Sequence, residues 1–154
     1  MPEIFVDTWA WCALTNKRDA AHRDAEELNK ELLRERYIFI TTNFILDESY
    51  TLIRARIGYG AAVDFGDKIK RLHQLGLLKI IYIDQEIEEA AWKLFVKYED
   101  IKALSFTDCT SFAVMHWLDL QEVFTDDEHF RHLGFIKRSS PFVPAQLEVD
   151  FLKC

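Results

Sequence analysis

The chain has few of the residues that mark secreted, zinc-binding or membrane proteins. Its 154 residues include three cysteines, and no Cys-x-x-Cys or Cys/His ligand spacing occurs, so neither a disulfide framework nor a zinc site is expected. The N-terminal segment lacks a basic start and a long apolar run, which argues against a signal peptide. No stretch approaches the roughly 18 apolar residues of a membrane span. We therefore expect a protein of the reducing cytoplasm, without a membrane partner.

A surplus of basic residues is also missing. Lys and Arg number 19 against 26 Asp and Glu, which gives a formal net charge of −7. Proteins that hold nucleic acid mainly by charge neutralise its phosphates with Lys and Arg, so this class is disfavoured. An enzyme that meets phosphate through bound metal ions remains compatible with the charge. The 49% hydrophobic content supports a compact domain.

Short apolar runs alternate with helical patterns along the chain. The predicted strands are 3–6, 37–40, 79–83, 122–125 and 135–137, and the predicted helices are 19–36, 43–57, 61–75, 85–98, 105–118 and 127–133. Strands that alternate with helices form a parallel sheet covered on both faces. We predict an α/β fold, a three-layer α/β/α sandwich with a central, mostly parallel sheet of about five strands. Residues 1–138 form one predicted domain, and 139–154 a C-terminal extension that packs on the domain or on a partner.

Acidic residues occur in four separate segments, each at the end of a predicted strand or early in a helix: Asp7, Glu48, Asp108 and Asp127. An α/β fold brings such positions together at one edge of its sheet. Carboxylates suit hard divalent cations. Two carboxylates ~5 Å apart, at an effective dielectric of ~20, repel by about 3 kcal/mol, so a convergent group would hold protons or cations. This pattern indicates metal-dependent phosphodiester chemistry.

Two of the first three acids also have simple structural explanations. Asp7 could be a helix N-cap or a turn residue. Asp108 could complete a capping box begun by Ser105, and both roles could hold at once. Glu48 is harder to explain, because it lies on or beside the apolar face of its helix, where an unpaired carboxylate is costly. Asp47, one position earlier, points away and is expected to be an ordinary surface acid.

The fourth acid is one of a pair. Asp126 and Asp127 follow a predicted strand, and Thr125 with Glu128 could form another capping box. Acids in the first turn of a helix also offset its dipole. The spacing alone does not decide which member of the pair is a metal ligand.

The segments around these acids resemble PIN-domain ribonucleases and, within them, the VapC toxins of toxin–antitoxin pairs. The matching segments run in family order over residues 3–138: FVDTWAW, TTNFILDESYTLIRAR, SFTDCTSFAVM and VFTDDEHFRHLGF. The resemblance implies an α/β/α sandwich that cleaves RNA with Mg²⁺ or Mn²⁺. It also implies a homodimer and a small antitoxin whose tail occupies the acidic groove.

The resemblance assigns roles to individual residues. It gives metal-binding and catalytic roles to four acids: Asp7, Glu48, Asp108 and Asp127. It gives supporting roles to four neighbours: Thr8, Ser105, Thr125 and Asp126. Thr8 and Thr125 match small hydroxyl positions that line the site, and Ser105 matches the cap before the third acid. Asp126 occupies a position that the family does not reserve for an acid, so it is a neighbour of Asp127 or a substitute for it.

Three functions are compatible with this pattern. The leading hypothesis is a metal-dependent endoribonuclease, the toxin of a VapBC-type pair, in which metal-activated water attacks phosphorus in line. By analogy with metal nucleases, its products would carry a 5′-phosphate and a 3′-hydroxyl. The alternatives are a housekeeping PIN nuclease in RNA maturation or decay, and a non-catalytic PIN-fold binding module, whose signature would be the loss of one or more acids.

Other polar and aromatic residues are expected to be structural. The five histidines show no ligand spacing and are expected to be solvated or packed, although His129 is nearest to the acids in sequence. Arg54 and Arg56 could contact phosphates, but an ordinary helix surface is the expectation for both. Trp9 is expected in the core or at a dimer contact, and Cys109 is expected to be a small buried residue.

Overall fold

Strands and helices alternate along residues 1–141, which are the residues that the structure, a computed structural model, describes. The strands are β1 (Glu3–Val6), β2 (Ile38–Thr42), β3 (Leu78–Ile81), β4 (Glu122–Phe124) and β5 (Ile136–Arg138). The helices are α1 (Thr8–Thr15), α2 (His22–Arg34), α3 (Asn43–Arg56), α4 (Tyr59–Gln74), α5 (Gln85–Lys97), α6 (Phe106–Trp117) and α7 (Glu128–His132). The extension predicted for 139–154 lies, from residue 142 onward, outside the described residues. None of the helices in the described part is long and apolar enough to cross a membrane.

The five strands form one parallel sheet in the order β3-β2-β1-β4-β5. β1 lies at the centre, where Phe5 is opposite Ile40 of β2 and Val123 of β4. The chain moves outward in opposite directions on the two sides of β1, and the crevice at the carboxyl ends of such strands is where α/β proteins bind ligands. The predicted sandwich with a parallel sheet of five strands is confirmed.

The core lies on both faces of the central strand. Ile4, Phe5 and Val6 are completely buried, as a strand between two helical layers requires. Phe112 of α6 packs against Phe130 of α7, with their ring centroids 4.9 Å apart in an edge-to-face arrangement. This packing holds α6 and α7 against each other.

A helix that the sequence pattern did not predict, α1, begins immediately after Asp7. Its sequence, TWAWCALT, is apolar on most sides, and Ala10, Trp11 and Ala13 are buried. A helix that is buried on most sides has no polar stripe to mark its period, which explains why the pattern was missed.

The predicted helix 19–36 is shorter in the structure, where α2 begins at His22. The side chain of Asp19 accepts a hydrogen bond from the backbone N–H of Ala21 at 2.9 Å, and the backbone N–H of His22 bonds to the Asp19 carbonyl at 3.0 Å. Asp19 is therefore a turn residue between α1 and α2.

Candidate metal centre

Asp7 lies where the central strand passes into α1. Its backbone N–H donates to the carbonyl of Phe124 at 3.2 Å, and its carbonyl accepts from the N–H of Ala10 at 3.1 Å. The Asp7 side chain does not cap α1. Instead, its Oδ2 accepts a hydrogen bond from the hydroxyl of Thr125 at 2.8 Å. Asp7 therefore occupies the N-cap position, while its carboxylate, which is 6% exposed, faces the neighbouring strand end.

The environment of Asp7 disfavours its negative charge. Burial raises the pKa of its carboxyl from 3.8 to about 7, the hydrogen bond from Thr125 opposes the rise, and the charges of Asp108 and Asp127 add to it. A cation beside this carboxyl would favour its ionised form.

Asp108 is fixed by the predicted capping box at the start of α6, which is confirmed. The Ser105 hydroxyl accepts from the backbone N–H of Asp108 at 2.9 Å, and Asp108 Oδ2 accepts from the backbone N–H of Ser105 at 3.2 Å. Burial raises the pKa of the Asp108 carboxyl, the backbone hydrogen bond from Ser105 opposes this, and the charge of Asp127 adds to it. The box therefore aims a partly desolvated carboxylate at the other acids.

Asp127 caps α7, which corrects the box predicted there. Asp127 Oδ1 accepts from the backbone N–H of His129 at 2.9 Å, so Asp127 is the N-cap and the box of Thr125 with Glu128 is wrong. The Thr125 hydroxyl instead accepts from the backbone N–H of Asp127 at 3.1 Å and donates to Asp7. A single hydroxyl thus links two of the acids.

The neighbouring carboxylates of Asp126 and Asp127 have different surroundings. Lys137 of β5 places its Nζ 3.1 Å from Asp126 Oδ1 and 2.7 Å from Glu128 Oε1. The Asp126 side chain is 56% exposed, whereas that of Asp127 is 33% exposed and lies beside His129. The charge of Asp126 is therefore paired with Lys137, and Asp127 is the better placed of the two to serve as a ligand.

All four predicted acids line one open cleft of about 330 Å³ at the carboxyl edge of the sheet. Glu48 reaches the cleft from α3 and is half-buried beside the buried Ser49, which agrees with its predicted position at the edge of the apolar face. The same cleft is lined by seven further residues: Thr8, Trp9, Cys12, Asp19, Leu52, Arg56 and Asp126.

The most closely grouped candidate ligands are Asp108, Asp127 and His129, with one ligand atom of each within 4.8 Å of the others. His129 Nδ1 lies 3.5 Å from Asp108 Oδ2 and 3.3 Å from Asp127 Oδ1, which are ion pairs only when the ring is protonated. Among the described residues this buried nitrogen has no hydrogen-bond partner, and neither has the buried hydroxyl of Thr8. The expectation that His129 is merely solvated or packed therefore misses a residue at the site.

These observations fit a divalent cation. Carboxylate oxygens are the ligands that Mg²⁺ and Mn²⁺ prefer, and imidazole nitrogen also binds transition metals. Buried polar atoms without partners, such as those of His129 and Thr8, call for an ion or ordered water. Burial, with a smaller contribution from the charges of Asp108 and Asp127, raises the pKa of Asp7, and a bound cation would offset both effects. When bound, such an ion would activate water and stabilise a leaving oxygen.

Several lining residues could not be assigned to the cleft from the sequence. Leu52 and Arg56 follow Glu48 at intervals of four residues on α3, and this spacing was the only available signal for them. Asp19 comes from the turn before α2, and Trp9 from α1. No local pattern links these two residues to the acids, because α1 itself escaped prediction.

Comparisons with known proteins agree with this geometry. Residues 4–136 match the family model described as PIN domain. The 23S rRNA-specific endonuclease VapC20 of Mycobacterium tuberculosis is 33% identical over 134 residues, which cover 87% of this chain and 96% of that protein. A VapC ribonuclease of Archaeoglobus fulgidus is 27% identical over 123 residues, which cover 79% of this chain and 75% of that protein.

Solved structures of VapC-type proteins are also similar to this chain. The crystal structure of M. tuberculosis VapC20, described as a sarcin–ricin loop cleaving toxin, matches with a TM-score of 0.76 and 34% identity over 90% of this chain and 99% of that one. VapBC2 of Rickettsia felis, bound to a promoter DNA fragment, matches with a TM-score of 0.64 at 15% identity over 90% of this chain and 99% of that one, which shows the fold alone. The chain therefore belongs to the PIN-domain family, among the VapC-type ribonucleases. These relatives support an endoribonuclease toxin function.

Proposed function

We propose that this protein is a metal-dependent endoribonuclease and the toxin of a VapBC-type toxin–antitoxin pair. The observation that supports this most strongly is the shared cleft, into which four separate segments bring their acids: Asp7, Glu48, Asp108 and Asp127. A non-catalytic binding module would be marked by the loss of one or more of these acids, and all four are present in the cleft.

We assign metal binding to the same four acids, with Mg²⁺ or Mn²⁺ as the ion. The bound ion would activate water for in-line attack on phosphorus and stabilise the leaving 3′ oxygen. Thr125 holds Asp7 by donating to its carboxylate, and holds Asp127 by accepting from its backbone N–H. Ser105 holds Asp108 through the capping box.

Two neighbours have weaker roles in this proposal. The Thr8 hydroxyl, buried and without a partner among the described residues, is free to bond water or a phosphate oxygen at the site. Asp126 lines the cleft but is paired with Lys137, so it supports the site and does not replace Asp127.

As substrate we propose the sarcin–ricin loop of 23S ribosomal RNA. The similarity to M. tuberculosis VapC20, at 33% identity over 87% of this chain, supports this target. The cleft is lined mainly by acids and the chain carries a net charge of −7, so recognition would depend on the bound metal and on the shape of the RNA more than on a basic surface.

We further propose a cytoplasmic homodimer that a small antitoxin neutralises by placing its tail in the acidic cleft. Exposed apolar side chains on α5 support a contact between two copies, because Trp92 and Val96 are each 59% exposed. The carboxylates that line the cleft suit a basic tail. Residues 1–138 would form the nuclease domain, and 139–154 an extension that packs on the domain or on a partner.

The test is cleavage of a small RNA panel by the purified protein: a sarcin–ricin stem-loop, a transfer RNA and a messenger RNA fragment. Each is incubated with Mn²⁺, with Mg²⁺ or with EDTA. We expect one cut in the stem-loop, dependent on metal and absent with Asp7→Asn. Asp47→Asn is the matched control, because Asp47 is an exposed acid of α3 that does not line the cleft.

Each other outcome removes a defined part of the proposal. Cutting of the transfer or messenger RNA alone would overturn the substrate and keep the nuclease. Cutting in EDTA, or by Asp7→Asn, would overturn the metal mechanism. No cutting of any RNA would favour the binding module. Growth arrest on expression, relieved by Asp7→Asn, separates a toxin from a housekeeping nuclease.

A further inference from the structure

One wall of the cleft is a stripe of α3. Glu48, Leu52 and Arg56 follow one another at intervals of four residues, and all three line the cleft. Arg56 is the one basic side chain among the described residues that line the cleft. Six of those residues are acidic: Asp7, Asp19, Glu48, Asp108, Asp126 and Asp127. A single positive charge therefore lies at the end of a wall that is otherwise negative or apolar.

The guanidinium of Arg56 has no protein partner within residues 1–141, where it takes part in no ion pair or hydrogen bond. Two cations of β5 are already paired, since Lys137 is paired with Asp126 and Glu128, and Arg138 with Glu122. Arg56 lies in a cleft with six acidic residues and forms an ion pair with none of them. Its guanidinium is therefore available to bind an anion from outside the protein.

The charge of Arg56 also affects Cys12, another residue of the cleft. Burial raises the pKa of the Cys12 thiol to about 11, and the positive charge of Arg56 is the largest influence that opposes this rise. Cys12 belongs to α1 and lines the same cleft. Arg56 and Cys12 therefore line the same cleft, and the positive charge of Arg56 is felt at Cys12.

The position of Arg56 along α3 indicates which anion it serves. Eight residues of helix separate it from Glu48, a rise of about 12 Å. This offset places Arg56 toward one end of the wall, where it can reach a phosphate next to the one at which the four acids would act. Arginine is suited to this role, because its planar fork bonds two phosphate oxygens at once.

We propose that Arg56 binds a backbone phosphate of the RNA next to the scissile bond and thereby fixes how the strand enters the acidic cleft. This inference rests on the proposed nuclease function and adds to it a substrate-binding residue. Because the phosphate that Arg56 contacts does not react, Arg56 contributes to RNA binding and leaves the chemical step unchanged.

The test is single-turnover cleavage of the sarcin–ricin stem-loop, with protein in excess, over a range of KCl concentrations. For Arg56→Gln we expect the half-saturating protein concentration to rise about tenfold. We expect its logarithmic dependence on salt to be shallower by about 0.7–0.9, the loss of one phosphate contact. The maximal rate stays within about twofold of the wild type, since no catalytic group is removed.

Arg54→Gln is the matched control, because it removes the same charge from the same helix end. Arg54 does not line the cleft, and its guanidinium lies 5.2 Å from the centre of the Tyr59 ring. We expect this variant to keep the salt dependence of the wild type. Arg56→Lys, which keeps the charge but loses the fork, should recover the salt dependence and only part of the affinity.

Two results would overturn the inference while the nuclease stands. One is an Arg56→Gln protein that cleaves with unchanged half-saturation and salt dependence. The other is a fall in maximal rate together with weaker Mn²⁺ binding by calorimetry, which would make Arg56 a positioning residue for the carboxylates. A wild-type protein that cuts no RNA would instead reject the proposed function, and this inference with it.

Discussion

Replacing Asp7 with asparagine should stabilise the metal-free protein above pH 7 while it abolishes cleavage. Asp7 is 6% exposed, and burial raises the pKa of its carboxyl to about 7. The unfolded chain releases this proton near the ordinary value of 3.8, whereas the native protein retains it until about pH 7. The native state thus binds more protons between these two values, so stability falls as the pH rises from about 4 to about 7.

The size of the effect follows from the two pKa values. At 1.36 kcal/mol for each pH unit, the interval between 3.8 and about 7 corresponds to at most about 4 kcal/mol of unfolding free energy. Asparagine has nearly the same size, can still accept the hydrogen bond from Thr125, and carries no charge to desolvate. The stability advantage of Asp7→Asn should therefore be small below pH 4 and should reach up to about 4 kcal/mol at pH 8.

The assay is urea unfolding of the wild type, Asp7→Asn and Asp47→Asn in EDTA at pH 4, 6 and 8. Asp47 is exposed, so its substitution should change stability little at any pH. Two results would contradict this prediction. One is a stability difference between Asp7→Asn and the wild type that is the same at pH 4 and pH 8. The other is an Asp7→Asn protein that is less stable than the wild type at every pH. Either result would show that the pKa of the Asp7 carboxyl is not raised in the native protein.

Three further outcomes are expected. Asp108→Asn should abolish cleavage and keep the fold, as circular dichroism and a gel assay beside Asp47→Asn would show; retained activity would remove Asp108 from the metal site. Millimolar Mn²⁺ should raise the melting temperature of the wild type, because binding to the native state adds about 2.7 kcal/mol to its stability when the Mn²⁺ concentration is a hundred times the dissociation constant. An unchanged melting temperature would count against a preformed site. Asp127→Asn should lose cleavage while Asp126→Asn keeps most of it, because the charge of Asp126 is paired with Lys137; equal losses would make the two acids partners.

The sheet and the positions of the acids could be predicted because each depends on a local pattern. β1 is a short apolar run that ends at Asp7, and the structure gives it the predicted bounds. The capping box of Ser105 and Asp108 depends on only four consecutive residues, and it is present as predicted. The apolar period of α3 placed Glu48 at the edge of the buried face, and there it lines the cleft.

What could not be predicted depends on contacts between distant segments. α1 is buried on most sides, so it has no polar period to reveal it. The environments of Asp126 and Asp127 differ because of Lys137 on β5, a strand that follows them in the chain. The false capping box at Thr125 has a similar origin, since its hydroxyl bonds to Asp7 at a separation of 118 residues. Arg56 joins the cleft only because α3 packs beside α1.

In the proposed mechanism, the four acids would hold a metal ion that directs an activated water onto an RNA phosphate. The most direct test is cleavage of the sarcin–ricin stem-loop in H₂¹⁸O with Mn²⁺, followed by mass spectrometry of the two fragments. We expect one ¹⁸O atom in a new 5′-phosphate, a 3′-hydroxyl on the other fragment, and no products in EDTA. The contrary result is a 2′,3′-cyclic phosphate and a 5′-hydroxyl, formed without ¹⁸O and in the presence of EDTA. It would show that the ribose 2′-hydroxyl attacks the phosphate, and it would contradict the metal-activated water mechanism.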